Sequence, residues 1–477
     1  MSHATAENID TGQLEEFVSL KWDDDIVPRL VEYIRIPCKS PHFDPEWAAN
    51  GYIDQAVELA EQWSQSQAIA GLKIEVIRLE GRTPVLFFEI EGDAPGNILM
   101  YGHLDKQPEM SGWRDGFGPW IPVLHEGKLY GRGGADDGYA IFASLLALSA
   151  LKEQGVKHAR IVGLIETCEE SGSYDLPAYL EALKPRIGNV DLVIGLDSGC
   201  GNYEQLWVTT SLRGIAAGTL SVEVLNEGVH SGDASGVVPS SFRVARLLLD
   251  RIEESASGHI LPEEFHCEIP AERSAQAQLA GKTLGESMLT RFPFAGNTRP
   301  MTDNYGEAVL NRTWRPFLSV VGADGMPAIK DAGNVLRPGT SLKLSLRIPP
   351  LVEGQRATED LKRILEADPP HGAKVSFEAD QAATGWHAPP TAAWLKKLVD
   401  SASRQFYGKP AMLMGEGGTI PFMAMLGESF PQAQFLITGV LGPKSNAHGP
   451  NEFLHIAYAK KLTACVAQVI AGHAARV

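Results

Sequence analysis

Cysteine is scarce in this sequence of 477 residues, and its distribution excludes two kinds of structure. The five cysteines are scattered, without a Cys-x-x-Cys pair, at Cys38, Cys168, Cys200, Cys267 and Cys465. A disulfide framework uses an even, regularly spaced set, and a thiolate zinc site uses neighbouring cysteines. The sequence therefore argues against both and predicts a protein of the reduced cytoplasm.

Positive charge and long apolar runs are also lacking. The chain has 42 Lys and Arg against 59 Asp and Glu, a formal net charge of −17, and no long basic run. Nucleic acids and anionic membranes attract basic surfaces, so neither is expected as a partner. The longest apolar stretch, residues 140–151, is too short to span a bilayer. Residues 1–10 lack the basic and apolar regions of a secretory signal.

Several catalytic motifs are missing as well. The sequence has no Gly-x-Ser-x-Gly elbow, Walker loop, His-Glu-x-x-His pair or dinucleotide fingerprint. It does contain a loop, residues 133–138, in which Asp136 and Asp137 lie between glycines, directly before an apolar run that begins at Tyr139. Such a loop is also typical of a solvated turn and helix cap. Together with metal-type residues elsewhere, it becomes a candidate for cation binding.

Buried strands alternate with helices in the first 200 residues. Strands are predicted at 84–90, 97–101, 160–165 and 190–196, and a helix is predicted over the apolar run after Asp136. This alternation is typical of an α/β fold with a mostly parallel sheet flanked by helices.

Metal-type side chains come just after these strands. His103 follows one strand, Glu169 and Glu170 follow another, and Asp197 follows a third. Ligands of parallel sheets lie outside the carboxyl ends of the strands. The sequence therefore predicts a binding site at that edge of the sheet.

The pattern changes in the middle of the chain, where strands alternate polar and apolar residues. Strands and helices are predicted there at 218–225, 239–256, 316–321, 340–348, 353–367 and 373–379. They indicate an α+β layer with helices on one face of an open sheet. The first pattern returns near residue 391. We therefore predict a domain at 211–387 inserted into a discontinuous catalytic domain, residues 1–210 and 388–477.

Two divalent ions that share a bridging carboxylate need about five His, Asp or Glu ligands. The sequence offers such a set in His103, Asp136, Glu170, Asp197 and His448. Asp105 can accept the proton on the other ring nitrogen of His103. Glu169, beside Glu170, is suitably placed for a general base. Each of these residue types alone is more often a surface, core or capping residue than a ligand, and it is their combination near strand ends and loops of one sheet that favours metal binding.

The motifs resemble those of the M20 metallopeptidases, and among them the carnosinase-like dipeptidase branch. The matching segments are Tyr101-Gly-His-Leu-Asp105, Gly131-Arg-Gly-Gly-Ala-Asp-Asp-Gly138, Glu169-Glu170-Ser-Gly, Asp197, His230-Ser-Gly, Glu416-Gly-Gly-Thr-Ile-Pro421 and Asn446-Ala-His448. The resemblance covers essentially the whole chain.

The resemblance implies a role for each residue of the metal site. His103 and Asp197 would bind one zinc ion, Glu170 and His448 a second, and Asp136 would bridge them. Manganese suits the same ligands. Asp105 would support His103, Glu169 would be the general base, and the Asp136–Asp137 peptide bond would be cis.

The resemblance also implies a ferredoxin-like inserted domain that acts as a lid and forms a homodimer through residues 211–387. His230 would reach the partner subunit's site and stabilise the tetrahedral oxyanion. Arg347 would bind the substrate carboxylate bidentately, and Thr419 would add contacts to the substrate.

These expectations describe a two-zinc peptidase that hydrolyses dipeptides or small peptides with a water held between the metals. An N-acyl amino acid deacylase would use the same residues on another acyl group. A non-catalytic binding relative would be expected to lack Glu169 or a metal ligand, and none is missing. Two departures concern the substrate rather than the metals: Lys106 stands where dipeptidases usually carry an apolar residue, and Asp233-Ala-Ser follows His230-Ser-Gly.

Overall fold

The computed structural model describes residues 9–476. Of residues 1–10, for which no secretory signal is predicted, the first eight lie outside the described residues. Among the described helices, none combines the length and the apolar character needed to cross a bilayer.

Fifteen α-helices are formed by the described residues. In chain order they are α1 (Thr11–Lys21), α2 (Val27–Ile34), α3 (Trp47–Asn50), α4 (Tyr52–Ser66), α5 (Tyr139–Glu153), α6 (Leu176–Ile187), α7 (Ser231–Ala234), α8 (Ser241–Leu249), α9 (Ala271–Leu284), α10 (Ser287–Thr290), α11 (Tyr305–Thr313), α12 (Gly354–Glu366), α13 (Ala393–Tyr407), α14 (Pro421–Ser429) and α15 (Ile456–Ala474). One wider turn, Trp22–Ile26, joins α1 to α2 without a break.

Twenty strands accompany them in the described part of the chain. They are β1 (Lys73–Ile77), β2 (Val85–Ile90), β3 (Ala94–His103), β4 (Val123–His125), β5 (Lys128–Tyr130), β6 (Ala159–Glu166), β7 (Leu192–Gly195), β8 (Trp207–Leu212), β9 (Gly214–Glu223), β10 (Val229–His230), β11 (Glu253–Glu254), β12 (His259–Ile260), β13 (Phe317–Asp324), β14 (Val335–Leu336), β15 (Gly339–Ile348), β16 (Lys374–Ala383), β17 (Trp386–His387), β18 (Met412–Glu416), β19 (Gln434–Ile437) and β20 (Phe453–His455).

The chain forms two compact units. The first contains the residues up to Thr210 together with Ala388–Met414 and the residues from Met425 onward. The second contains Ser211–His387 and Gly415–Ala424. The segment Gly415–Ala424, assigned from the sequence to the second part of the catalytic domain, makes its contacts within the second unit.

The first unit is built on a six-stranded sheet in the order β1-β2-β6-β3-β7-β19. Strands β6, β3, β7 and β19 run parallel to one another, while β2 is antiparallel to both of its neighbours, β1 and β6. The prediction of a mostly parallel sheet flanked by helices is confirmed. Helix α5 is apolar on all sides because it packs against α1, α4, α15 and β3.

The second unit has a four-stranded antiparallel sheet in the order β13-β15-β9-β16. Helices α8 and α12 cover one face, and their apolar side chains join alternate residues of the strands in one core. The predicted α+β architecture is confirmed. The predicted helix at 239–256 is too long, because α8 ends at Leu249 and residues 253–254 pair as a short strand instead.

We predict that Leu361→Ala lowers the free energy of unfolding of the second unit by about 2–5 kcal/mol. Leu361, on α12, is fully buried in that core, and its truncation leaves a cavity. Urea unfolding of the full chain measures the effect. The matched control is Leu351→Ala, since Leu351 is 52% exposed, with an expected change below about 0.5 kcal/mol. Equal losses in the two variants would contradict the packing described here.

Candidate metal centre

Three parallel strands bring four of the predicted site residues to one edge of the first unit's sheet. His103 is the last residue of β3, and Asp197 lies two residues beyond the end of β7. Glu169 and Glu170 lie in a short 3-10 turn after β6. Because β3 pairs in parallel with both β6 and β7, their carboxyl ends meet at the same edge. The four side chains are therefore neighbours.

Asp136 reaches this edge from a turn that precedes α5. Gly133 opens the turn with φ of 81°, a conformation that favours glycine. A side chain there would also collide with Lys106, since an added Cβ would lie 2.6 Å from the lysine stem. The peptide bond between Asp136 and Asp137 is cis, as the resemblance implies.

His103 and His448 approach Asp136 from different sides. Nε2 of His103 lies 3.5 Å from Oδ1 of Asp136, 3.7 Å from Asp197 and 3.9 Å from Glu169. Nε2 of His448 lies 3.1 Å from Oδ2 of Asp136 and 3.3 Å from Oε2 of Glu170. Each oxygen of the Asp136 carboxylate thus faces one imidazole.

Asp105 fixes both the ring of His103 and the turn that carries the two glutamates. Nδ1 of His103 lies 3.0 Å from the Asp105 carbonyl oxygen and 3.5 Å from its carboxylate. Both are acceptors, so Nδ1 carries the ring proton and the lone pair of Nε2 points toward the other carboxylates. The Asp105 carboxylate also accepts the backbone N–H groups of Glu169 and Glu170, at 3.1 and 3.0 Å.

The carboxylates at this edge perturb one another strongly. Burial and the charge of Asp197 raise the pKa of Glu169 well above its ordinary value, and burial and the charge of Asp136 do the same for Glu170. Burial raises the pKa of Asp197 to about 7. Burial also tends to raise the pKa of Asp136. The imidazoles of His103 and His448 outweigh this effect and hold the pKa of that carboxyl far below its usual range. The site is rich in negative charge that lacks compensation.

Unpaired atoms at this edge fit a divalent cation. Nε2 of His103 and Oε1 of Glu170 are buried, and neither has a hydrogen-bond partner among residues 9–476. Ligand atoms of His103, Asp136 and Glu170 lie within 4.8 Å of one another, as do those of His103, Asp137 and Asp197. Imidazole and carboxylate are the ligands that zinc and manganese accept. The donor set and the unpaired atoms together fit metal binding.

Two neighbours of the site were not predicted from the sequence. Asp137 is fully buried, and its Oδ2 accepts the backbone N–H of His103 at 3.3 Å. Gln107 donates from Nε2 to Oε2 of Glu170 at 2.6 Å. The double aspartate was a signal for the first residue. Nothing in the sequence distinguished Gln107 from a surface glutamine.

The other three predicted site residues belong to the second unit. Arg347, on β15, donates from a guanidinium nitrogen to Oγ1 of Thr419 at 3.1 Å. The Thr419 hydroxyl donates to the carbonyl oxygen of Arg213 at 2.7 Å. The structure therefore brings Arg347 and Thr419 together. His230 is exposed at the end of β10, immediately before α7.

Lys106 has a structural explanation in the first unit. Its side chain is fully buried, and Nζ donates to the carbonyl oxygens of Tyr33 and Ile36, both at 2.8 Å. Nζ also lies 3.8 Å from the centre of the Tyr33 ring, a cation–π distance. Burial lowers the pKa of Lys106 from 10.5 to about 8. A buried ammonium thus lies directly beneath Gly133.

We predict that Lys106→Met removes a pH dependence of stability. Between pH 8 and 10.5 the unfolded chain keeps the Lys106 proton and the folded chain does not, so this group makes the wild type more stable as pH rises. The gain over that window is about 3 kcal/mol. We expect the free energy of unfolding of the wild type, relative to that of the variant, to be higher at pH 10 than at pH 7.5, as measured by urea unfolding. Lys184→Met, at an exposed lysine, is the control, and a constant difference for Lys106→Met would contradict the prediction.

Comparisons with known proteins show which family the chain is similar to. Residues 99–472 match the model of peptidase family M20/M25/M40. A cysteinylglycine-S-conjugate dipeptidase of Corynebacterium striatum is 25% identical over 434 residues, which is 88% of this chain and 91% of that protein. The human Beta-Ala-His dipeptidase is 26% identical, over 87% of this chain and 83% of that protein.

Solved structures show the same fold. The crystal structure of human carnosine dipeptidase 1 superposes with a TM-score of 0.76 at 22% identity, covering 98% of this chain and 99% of that one. The family match spans well over half of the sequence. The chain therefore belongs to peptidase family M20/M25/M40 and is a metal-dependent hydrolase of peptide or amide bonds.

Proposed function

We propose that this protein is a dipeptidase that acts through two metal ions, most simply zinc, in the first unit. The observation that carries the proposal is the Asp136 carboxylate, whose two oxygens each face a different imidazole. A bridging carboxylate requires this arrangement. Asp197 lies beside the imidazole of His103, and Glu170 lies beside that of His448. His103 and Asp197 would hold one ion, Glu170 and His448 the other, and Asp136 both.

Bound metals would lower the pKa of water and polarise the scissile carbonyl. Glu169 is the residue proposed to take the proton from water and to return it to the leaving amine. Two facts support this role. Its carboxylate is 11% exposed and lies 3.9 Å from Nε2 of His103, beside the site. Its backbone N–H is hydrogen-bonded to the Asp105 carboxylate, so the position of the backbone that carries the side chain is fixed.

Arg347 is proposed to bind the carboxylate of the substrate, with Thr419 beside it. The guanidinium is partly buried, and its described contact is a neutral hydroxyl. A planar donor without a carboxylate partner among the described contacts suits bidentate recognition of a carboxylate. His230 is proposed to stabilise the oxyanion of the tetrahedral intermediate. We expect Arg347→Ala to weaken dipeptide binding, measured as a higher KM. An unchanged KM would contradict the role of Arg347 in binding the substrate carboxylate.

The segment 211–387 is proposed as a lid and dimerisation domain. Strand β13 is an edge of its sheet, and Val320 and Val321 on that strand are 49% and 63% exposed. An apolar edge strand is a ready surface for pairing with a second copy. Sedimentation analysis that found a monomer at micromolar concentration would contradict the homodimer.

A cytoplasmic location is proposed from the cysteines. None of the five, all of which lie among the described residues, forms a disulfide, and four of them are buried. Labelling of all five in the denatured protein from cell extract is expected under non-reducing conditions. A disulfide found there would contradict the assignment.

The proposed function predicts cleavage of dipeptides. The metal-loaded protein should hydrolyse members of a dipeptide panel, and a chelator should abolish the activity because the carboxylate-rich site then lacks its cations. N-acetyl and N-succinyl amino acids serve as the comparison. Cleavage of these alone would assign the protein to the deacylases. Cleavage of neither, by a protein with metal bound, would overturn the hydrolytic proposal.

A second prediction concerns Glu169. Glu169→Gln should retain its metal and lose about 10²–10⁴-fold in kcat, because the amide cannot accept the proton. Metal content and kcat are measured on the same sample. Glu109→Gln is the control, since Glu109 pairs with Lys39 in an exposed position. Near-normal turnover of Glu169→Gln would rule out its role as the base.

A further inference from the structure

A buried ion pair lies next to the metal centre but takes no part in the mechanism described above. Arg132 and Glu452 are 1% and 0% exposed at their side chains, and a guanidinium nitrogen lies 2.6 Å from Oε2 of Glu452. Burial of two charges costs free energy unless further hydrogen bonds complete their coordination. The remaining partners of this pair therefore show what it joins.

Arg132 joins two loops that carry or support metal-site residues. It donates to the carbonyl oxygen of Gly449 at 2.9 Å, directly after His448. It also donates to the carbonyl oxygen of Pro108 at 3.2 Å, directly after Gln107. Gln107 in turn donates to the Glu170 carboxylate. One guanidinium thus links the His448 loop to the segment that holds Glu170.

Glu452 joins the same assembly to the Asp136 turn. Its Oε1 accepts the backbone N–H of Gly133 at 3.0 Å, and its carbonyl oxygen accepts that of Gly131 at 3.0 Å. The turn that these amides begin carries Asp136. Every polar atom of the Glu452 carboxylate therefore holds the segment 131–133.

His448 needs this support more than His103 does. His103 ends a strand that is paired on both sides. His448 lies in a loop in which Lys444, Asn446, His448 and Asn451 all have positive φ. Such conformations persist only where the surroundings enforce them. The hydrogen bonds of Arg132 and Glu452 are placed to do so.

We propose that Arg132 and Glu452 are positioning residues for one of the two metal ions, the one held by Asp136, Glu170 and His448. The proposal rests on the proposed two-metal function. The other ion shares only Asp136 with this one, and its own ligands, His103 and Asp197, lie at the ends of paired strands, so it depends less on the pair. Loss of the pair therefore weakens one binding event more than the other.

The test is calorimetric titration of the metal-free full-length protein with zinc ions. The variants are Arg132→Lys, which keeps the charge but cannot reach three acceptors, and Glu452→Gln, which keeps the shape but not the charge. In both, one event should weaken about 10–100-fold, as for other residues that orient ligands, while the second weakens less. If Arg132→Lys does not fold, Glu452→Gln carries the test.

Arg160→Lys is the matched control. Arg160 also joins carboxylates and carbonyls, namely Glu89, Arg186 and Ile187, but at the opposite end of β6. It should lower thermal stability without changing either zinc event. Equal weakening of both events in Arg132→Lys and Glu452→Gln, or no weakening of either, would overturn the positioning role. A wild type that binds one ion would instead overturn the two-metal function. In that case, weakening of the single event in the two variants would support the positioning role, and no weakening would contradict it.

Discussion

Mutual repulsion among carboxylates at one edge of a parallel sheet is the constraint on which the first unit's organisation depends. Asp136, Asp137, Glu169, Glu170 and Asp197 converge there, largely out of water, and within residues 9–476 the imidazoles of His103 and His448 lie beside them. In a medium of low dielectric constant, such a cluster opposes its own formation. The fold must hold each side chain by its backbone, because the side chains themselves repel one another.

The backbone is held by a few residues with several contacts each. The Asp105 carboxylate orients a histidine ring and caps two amides of the glutamate turn. Arg132 and Glu452 connect three loops whose residues are remote in sequence. In both cases, a charge that binds no substrate is satisfied by backbone groups, which are rigid partners. These contacts, made by the chain itself, hold the backbone around the site.

Local patterns in the sequence predicted the strand-end residues well. His103, Glu169, Glu170 and Asp197 each follow a short apolar run, and the rule that parallel strands share an edge brings them together. His448 was included in the predicted ligand set although its loop has no periodic signal, and the motif Asn446-Ala-His448 supports that assignment. The Arg132–Glu452 pair could not be predicted, because its members are 320 positions apart and each resembles an ordinary surface charge. The length of α8 was overestimated because polar residues after Leu249 continue a helical pattern that tertiary contacts end.

The discontinuity of the first unit has a consequence for the order in which the protein can be completed during synthesis. Strand β19, the His448 loop, Glu452 and α15 are all translated after the entire second unit. Until they emerge, β7 lacks its outer neighbour, α5 lacks the helix that covers it, and the Asp136 turn lacks its carboxylate anchor. A nascent chain therefore carries an incomplete cluster of negative charge through most of its translation. Residues 448–452 must therefore emerge from the ribosome before this hydrolase can have its full set of proposed ligands and their support.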